Sequence, residues 1–160
     1  MTESQEFTNI QNASFMKQLL LTSLFLLMVT IAYAEEIALY NASGEPTAYI
    51  DASQSDLPIF MYDGTPVAYL KTASGNYYHI YGFNGKHLGW LEDRRILDHK
   101  GYVAGFQKGG MTKYTRSEPY KYCKKYKPAK AYAQTAPYKP YTKHSFGNTS
   151  LSLLLLSGRK

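Results

Sequence analysis

The stretch MYDGTPVAYL, residues 61–70, is a β-hairpin written in ten letters. An apolar strand runs into Met61-Tyr62, Asp63-Gly64 supplies the turn, and a second strand leaves through Pro66-Val67-Ala68-Tyr69-Leu70. Asp-Gly is favoured at tight turns because glycine takes a positive φ without steric cost. The phrase recurs. Glycine, three residues, a small residue and an aromatic read GEPTAY at 44–49, GTPVAY at 64–69, GKHLGW at 85–90 and GYVAGF at 101–106. A short apolar strand precedes each turn: IALY, PIFMY, YHIYGF and RIL. Each unit therefore reads as one hairpin, with Gly44, Gly64, Gly85 and Gly101 as its turn glycines.

Asp63-Gly64 and Asn84-Gly85 predict two-residue type I′ turns. The longer NASG and DHKG turns predict loops in which Gly44 and Gly101 take the left-handed conformation. Pairing Tyr62 with Thr65 in the second hairpin sets Phe60, Val67 and Tyr69 on one face and Ile59, Met61, Ala68 and Leu70 on the other. A lone hairpin is marginal in water, so the four are expected to share a core. The small residues Ala48, Ala68, Gly89 and Gly105 mark close approach of a neighbour. Tyr49, Tyr69, Trp90 and Phe106 are expected to fill the core. Pro46 and Pro66 lack a ladder donor and predict an edge on the second strand of their hairpins.

Charge divides the chain. Residues 35–106 carry five basic and nine acidic side chains, whereas residues 107–160 carry twelve basic ones against the single acid Glu118. An acidic body carries a basic tail. Ahead of the body, MKQLLLTSLFLLMVTIAYAEE has one lysine, an apolar run and Ala32-Tyr33-Ala34, the layout of a cleaved secretory signal peptide. The apolar run falls short of the roughly 20 residues of a spanning helix. The expected organisation is a start-site artefact over 1–15, a signal peptide over 16–34, a hairpin domain over 35–110, a basic Lys/Tyr/Pro tail over 111–145 and an apolar end over 146–160. Export to the periplasm or the exterior follows from that leader. Cys123 is the only cysteine, so an intramolecular disulfide is excluded.

The order of the phrases, YDGTPVAYL followed by YGFNGKHLGWLEDRRILDHKGYVAGF, resembles a small bacterial family, the 4-fold β-flower proteins, from about Ile37 to Gly110. The resemblance implies an all-β fold of four hairpins about a pseudo-fourfold axis. It also implies a basic tail with a short apolar Ser/Leu ending, which SFGNTSLSLLLLSG resembles. It implies no established activity and no catalytic residues.

No Ser-His-Asp order, nucleophile elbow, phosphate-binding loop or HExxH motif is present. The nearest approach to a metal set is Asp98-His99 with His87 from the preceding hairpin; no catalytic, cofactor or metal residue is assigned. The acids Asp51, Asp56, Asp63, Glu92, Asp93 and Asp98 fall mostly at expected turns, and Glu92-Asp93-Arg94-Arg95 reads as a solvated loop. In the tail, lysine and tyrosine interleave around prolines. Lys121, Lys124, Lys125 and Lys127 are candidate contacts for a polyanion, and Tyr120, Tyr122 and Tyr126 for stacking; the alternative is an extended, solvated linker. The run LSLLLL is expected to return and pack on the hairpins, or else to adhere to a membrane or a second copy. The expectation for function is a non-catalytic exported module that binds or positions something at the cell envelope, with polyanion capture by the tail as the alternative and an enzyme third. An envelope polyanion, an anionic lipid or another envelope protein is the expected partner, nucleic acid is not expected, and the mature chain is expected to lack a transmembrane helix.

Overall fold

The structure is a computed structural model in which residues 15–19, 35–73 and 75–160 are described. The leader expected over 16–34 lies, beyond Leu19, outside the described residues. Eight strands follow in chain order: β1 Glu36–Tyr40, β2 Pro46–Asp51, β3 Pro58–Met61, β4 Pro66–Thr72, β5 Tyr77–Gly82, β6 His87–Glu92, β7 Arg95–Leu97 and β8 Val103–Gln107. A short helix, α1, spans Leu151–Leu156. Every strand pairs antiparallel with its neighbours in sequence, and β8 returns to β1, so the sheet closes into a barrel. Closure satisfies the ladder on both sides of every strand and leaves no edge.

Four hairpins, β1–β2, β3–β4, β5–β6 and β7–β8, share one loop geometry. The amides of Asn41, Met61, Gly82 and Asp98 donate to the carbonyls of Glu45, Thr65, Lys86 and Tyr102, each at 2.9 Å. The amides of Gly44, Gly64, Gly85 and Gly101 donate back to those first four residues, also at 2.9 Å. This is a three-residue loop ending in a left-handed glycine, with φ of 75°, 79°, 84° and 80°. The two-residue turns expected at Asp63-Gly64 and Asn84-Gly85 are therefore corrected. Asp63 instead holds its loop from the side, accepting from the Thr65 amide at 2.9 Å. The true two-residue turn joins β6 to β7, where Asp93 and Arg94 take φ of 46° and 63°.

Each hairpin also carries a bulge one step from its loop, at Leu39/Tyr40, Ile59/Phe60, Ile80/Tyr81 and Ile96/Leu97. Pro46 and Pro66 sit there, opposite Tyr40 and Phe60. The missing proline N–H is accommodated by the bulge rather than by an edge. The bulge also changes the facing of side chains. Val67 joins Ile59, Ala68 and Leu70 in the barrel interior, while Phe60 and Tyr69 face outward.

The interior holds aliphatic residues from all four hairpins together with Leu151, Leu154 and Leu155 of α1. The apolar end thus does return to the hairpins, and it enters the barrel at the loop end. Small residues make the room. A Cβ on Gly105 would lie 2.7 Å from a Leu151 methyl, and one on Gly82 would lie 2.2 Å from the Gly158 Cα. Gly89 makes the other expected close approach, since its Cβ would meet the Leu97 carbonyl oxygen at 2.1 Å. Ser150 caps α1 by accepting from the Leu153 amide, and the Asn84 side-chain amide donates to the Ser157 carbonyl at 2.9 Å. The compact unit runs from Ala34 to Lys160, and so takes in both the tail and the apolar end that charge and composition set apart.

The repeated aromatics do not fill the interior. Tyr49, Tyr69, Trp90 and Phe106 project outside the ring at the junctions between hairpins, and all are buried there. Tyr49 stacks on Phe60 at 5.8 Å, Tyr69 on Tyr81 at 6.0 Å, and Phe106 packs on Tyr40 at 5.8 Å. A loop residue of the next hairpin folds over three of them: Tyr62 on Tyr49 at 5.6 Å, Phe83 on Tyr69 at 5.6 Å and His99 on Trp90 at 5.5 Å. The first hairpin has only Ala42 at the corresponding place, and Phe146 of the tail packs on Phe106 at 6.0 Å.

The plug is directly testable. Leu155 is fully buried whereas Leu153 is 68% exposed. Leu155→Ala is expected to lower the free energy of unfolding in urea by about 2–5 kcal/mol, and Leu153→Ala by less than about 0.5 kcal/mol.

Candidate functional site

The tail is neither helix nor strand from residue 112 to 145, yet it is fixed at four points. The amides of Arg116, Lys125, Gln134 and Lys143 donate to the carbonyls of Gly44, Gly64, Gly85 and Gly101 at 2.8–2.9 Å. Tyr122 and Ala131 add bonds to the Tyr62 and Phe83 carbonyls, each at 2.9 Å. The donors recur every nine residues, one repeat per hairpin, so the tail encircles the barrel once as a strap. It is not a solvated linker. Pro119, Pro128 and Pro137 keep the same period, as do Lys121, Lys130 and Lys139. This period is the one sequence signal that marks the strap, and Arg116, Lys130, Gln134, Lys139 and Lys143 are strap residues that charge alone does not single out.

Crossing the turns requires the repeat glycines twice over. Each lies at positive φ, and a Cβ on Gly64 would stand 2.0 Å from the Cys123 carbonyl oxygen. Tyr114, Tyr132 and Tyr141 present their carbonyls in the same way to Gly44, Gly85 and Gly101. Cys123, a free and exposed thiol, occupies the strap position that is tyrosine in the other three repeats.

The strap lysines turn inward. Lys121 reaches Glu36 at 3.1 Å, Lys124 reaches Glu36 at 2.7 Å and the buried Asp51 at 2.8 Å, Lys125 reaches Asp63 at 3.3 Å and Lys127 reaches Asp56 at 3.1 Å. Lys130 pairs with Asp56 and Lys139 with Glu92. Lys121 also covers the Tyr49 ring at 5.1 Å, and Lys130 covers Tyr69 at 4.1 Å. Burial pushes the Asp51 carboxyl up, but the Lys124 ammonium and hydrogen bonds from Ser53 and Gln54 outweigh it and hold it well below the usual carboxylate range. Glu36 and Asp56 are likewise lowered because strap lysines overcome their desolvation, and Glu92 because the Thr142 hydroxyl and then Lys139 do so. Asp51, Asp56 and Glu92 are thus strap anchors, and Asp51 holds its own turn as well, accepting from the Ser53 amide at 3.1 Å. Glu92 is half-buried and also accepts from the Thr142 hydroxyl at 2.5 Å, whereas Asp93 and Arg94 of the same run are exposed.

The tyrosines turn outward. Tyr120, Tyr122 and Tyr126 are 78%, 64% and 93% exposed, and Tyr114, Tyr132, Tyr138 and Tyr141 are 83–98% exposed. A model of the 4-fold beta flower protein family matches residues 37–155, which includes the barrel, the strap and nearly all of α1. The chain belongs to the 4-fold beta flower family. No curated protein and no solved structure matches it.

One polar cluster interrupts the apolar cover of the flower. His79 Nδ1 lies 3.1 Å from His87 Nε2, and His87 Nδ1 lies 2.9 Å from His99 Nε2. The three imidazoles form a hydrogen-bonded row, and His87 packs against Trp90 at 4.9 Å. Asp98 stands apart from this row, accepting from the Lys100 and Tyr102 amides, each at 2.9 Å, as a turn residue does. Among the described residues no group of three or more His, Cys, Asp or Glu side chains is placed to hold a metal ion. Burial, reinforced by the neighbouring His99 and His79, pushes the His87 imidazole down to about 4. Burial lowers His79 and His99 as well.

The flower therefore folds best with His87 neutral. The unfolded chain binds the proton more readily than the folded one between about pH 6.5 and about pH 4, so stability is complete above that window and falls as pH drops through it. His87 contributes on the order of 3 kcal/mol to this fall. Chemical denaturation at pH 7 and pH 4.5 is expected to show the loss, and His87→Gln to make it smaller. Equal losses in both chains would contradict the assignment.

Proposed function

We propose that this chain is a non-catalytic, exported β-module that binds at the cell envelope, and that its contact surface is the outward tyrosine array of the strap. The observation that carries the reading is the division of the strap side chains: lysines inward on carboxylates, tyrosines outward. Exposed tyrosines supply flat apolar rings with a hydroxyl at the tip, suited to stacking on sugar faces and to hydrogen bonding at their rims. The strap amides fix the backbone beneath them, so binding does not require ordering a free tail. An uncharged stretch of cell-wall glycan suits that surface. Polyanion capture by Lys121, Lys124, Lys125 and Lys127 finds less support, because all four ammonium groups are paired with barrel carboxylates. The leader-like segment ahead of Glu35 supports export.

The non-catalytic reading has its own support. Asp51, Asp56 and Glu92 are occupied by strap lysines, and Asp63 and Asp98 are occupied in their turns. Each of these five carboxylates is therefore already engaged by a group of the chain itself.

Co-sedimentation of the chain with insoluble cell-wall glycan tests the proposal. Replacing Tyr120, Tyr122 and Tyr126 together by Ala is expected to weaken capture at least tenfold and to leave thermal stability nearly unchanged. Capture is expected to vary less than threefold between about 50 and 200 mM salt, in contrast to the steep fall that counterion release produces. A steep salt dependence with full binding by the tyrosine variant would overturn it.

A further inference from the structure

The barrel end away from the loops is open, and the pseudo-fourfold symmetry shows what is unusual there. Seven residues before each turn glycine and six residues after it, the hairpins place a pair at this end of the barrel. In the first three hairpins the pairs are Ile37 with Ile50, Leu57 with Leu70, and Tyr78 with Leu91. In the fourth they are Arg94 and Gln107, joined by a bond from the Gln107 amide to the Arg94 carbonyl at 2.7 Å. These four pairs line a cavity of about 310 Å³, with Asn76 and Asp93 at its rim. Three of the four pairs are aliphatic or aromatic. The fourth carries a guanidinium, with the Asp93 carboxylate next to it.

The turn geometry does not call for an arginine. Arg94 sits at φ 63°, and Leu57 occupies the equivalent place at φ 42°, so a neutral residue holds the same kind of backbone in the second hairpin. Such a backbone ordinarily favours glycine or asparagine. The segment after β8 passes close over Arg94: a Cβ on Gly110 would stand 2.4 Å from the Arg94 carbonyl oxygen, and one on Gly109, itself at φ 83°, would stand 3.0 Å from Arg94 Nη1. The adjacent Asp93 carboxylate is directed to Arg95 at 3.2 Å. Among the described residues no carboxylate bonds to the Arg94 guanidinium. A guanidinium to which no described carboxylate is bonded, at the lip of an apolar hole, favours a ligand with an apolar stem and an anionic head, since that planar fork matches carboxylate or phosphate oxygens.

We propose that the open mouth binds a single acyl chain with an anionic head, the hydrocarbon lying between Ile50, Leu70 and Leu91 and the head on Arg94 and the Gln107 side chain. The volume stands at the lower end of the roughly 300–1,000 Å³ of small-molecule sites, which suits a chain of medium length. This site faces away from the strap contacts at the turns and is independent of the envelope reading above.

Titration of the full chain with decanoate, decyl phosphate and uncharged decanol, each below its micelle concentration, tests it by calorimetry and by amide shifts. At least one of the two anions is expected to bind one to one, at least tenfold more tightly than decanol, and to shift the amides of Leu70, Leu91 and Gln107; which anion binds identifies the head. Arg94→Gln is expected to reduce anion affinity to the decanol level, and Arg94→Lys to restore part of it, with the amide spectrum verifying the fold of each. Binding of neither anion would overturn the proposal, as would equal binding of decanol or an Arg94→Gln variant that binds the anions unchanged.

Discussion

The hydrogen bond from a strap amide to a turn-glycine carbonyl is the contact on which the rest of this architecture depends. It is made four times, at Gly44, Gly64, Gly85 and Gly101, by donors nine residues apart. Each glycine serves the loop by taking positive φ and serves the strap by leaving no Cβ beneath a passing carbonyl. Without the strap, the outward clusters around Tyr49, Tyr69, Trp90 and Phe106 would lose their cover. The strap also delivers Leu151–Leu156 to the loop end of the barrel, so the outer cover and the inner plug are one continuous segment. An eight-stranded ring is just wide enough to be filled by side chains, and here three leucines of α1 complete the filling.

Electrostatics follows the same division. The acidic body and the basic tail, separable by charge in the sequence, are the two halves of one set of ion pairs. Most of these pairs are partly exposed, and such pairs contribute little individually. Lys124 with the buried Asp51 is different, because removing the ammonium would leave a desolvated carboxylate held only by Ser53 and Gln54. The pairs also set orientation. With lysines drawn inward, the tyrosines of the same repeats are presented outward.

Much of this was legible in the residues, and the losses have identifiable causes. The four hairpins and their glycines follow from turn chemistry at Gly44, Gly64, Gly85 and Gly101, and the family resemblance placed them about a pseudo-fourfold axis. The facing of Val67 escapes strict alternation because Val67 is itself the extra residue of a bulge, between Pro66 opposite Phe60 and Ala68 opposite Ile59, and a one-residue slip moves a side chain to the other face. The aromatics were placed in the core because burial alone does not reveal which side of a closed sheet is being covered. In the tail, a nine-residue period matches neither helix nor strand, so the recurrence of Pro119, Pro128 and Pro137 was hidden behind the charge run. The substitution of Arg94 and Gln107 for apolar pairs becomes visible only when the hairpins are superposed on their glycines.

The central claim is that the strap and the barrel form one cooperative unit. Native-state hydrogen exchange at the amides of Arg116, Lys125, Gln134 and Lys143 tests it most directly, because each donates to a turn glycine and none belongs to a helix or strand. The four amides are expected to be strongly protected and to share one opening free energy with the Leu154 amide of the plug. Exchange of these four at the rates of an unstructured peptide, beside a protected barrel, would contradict the account.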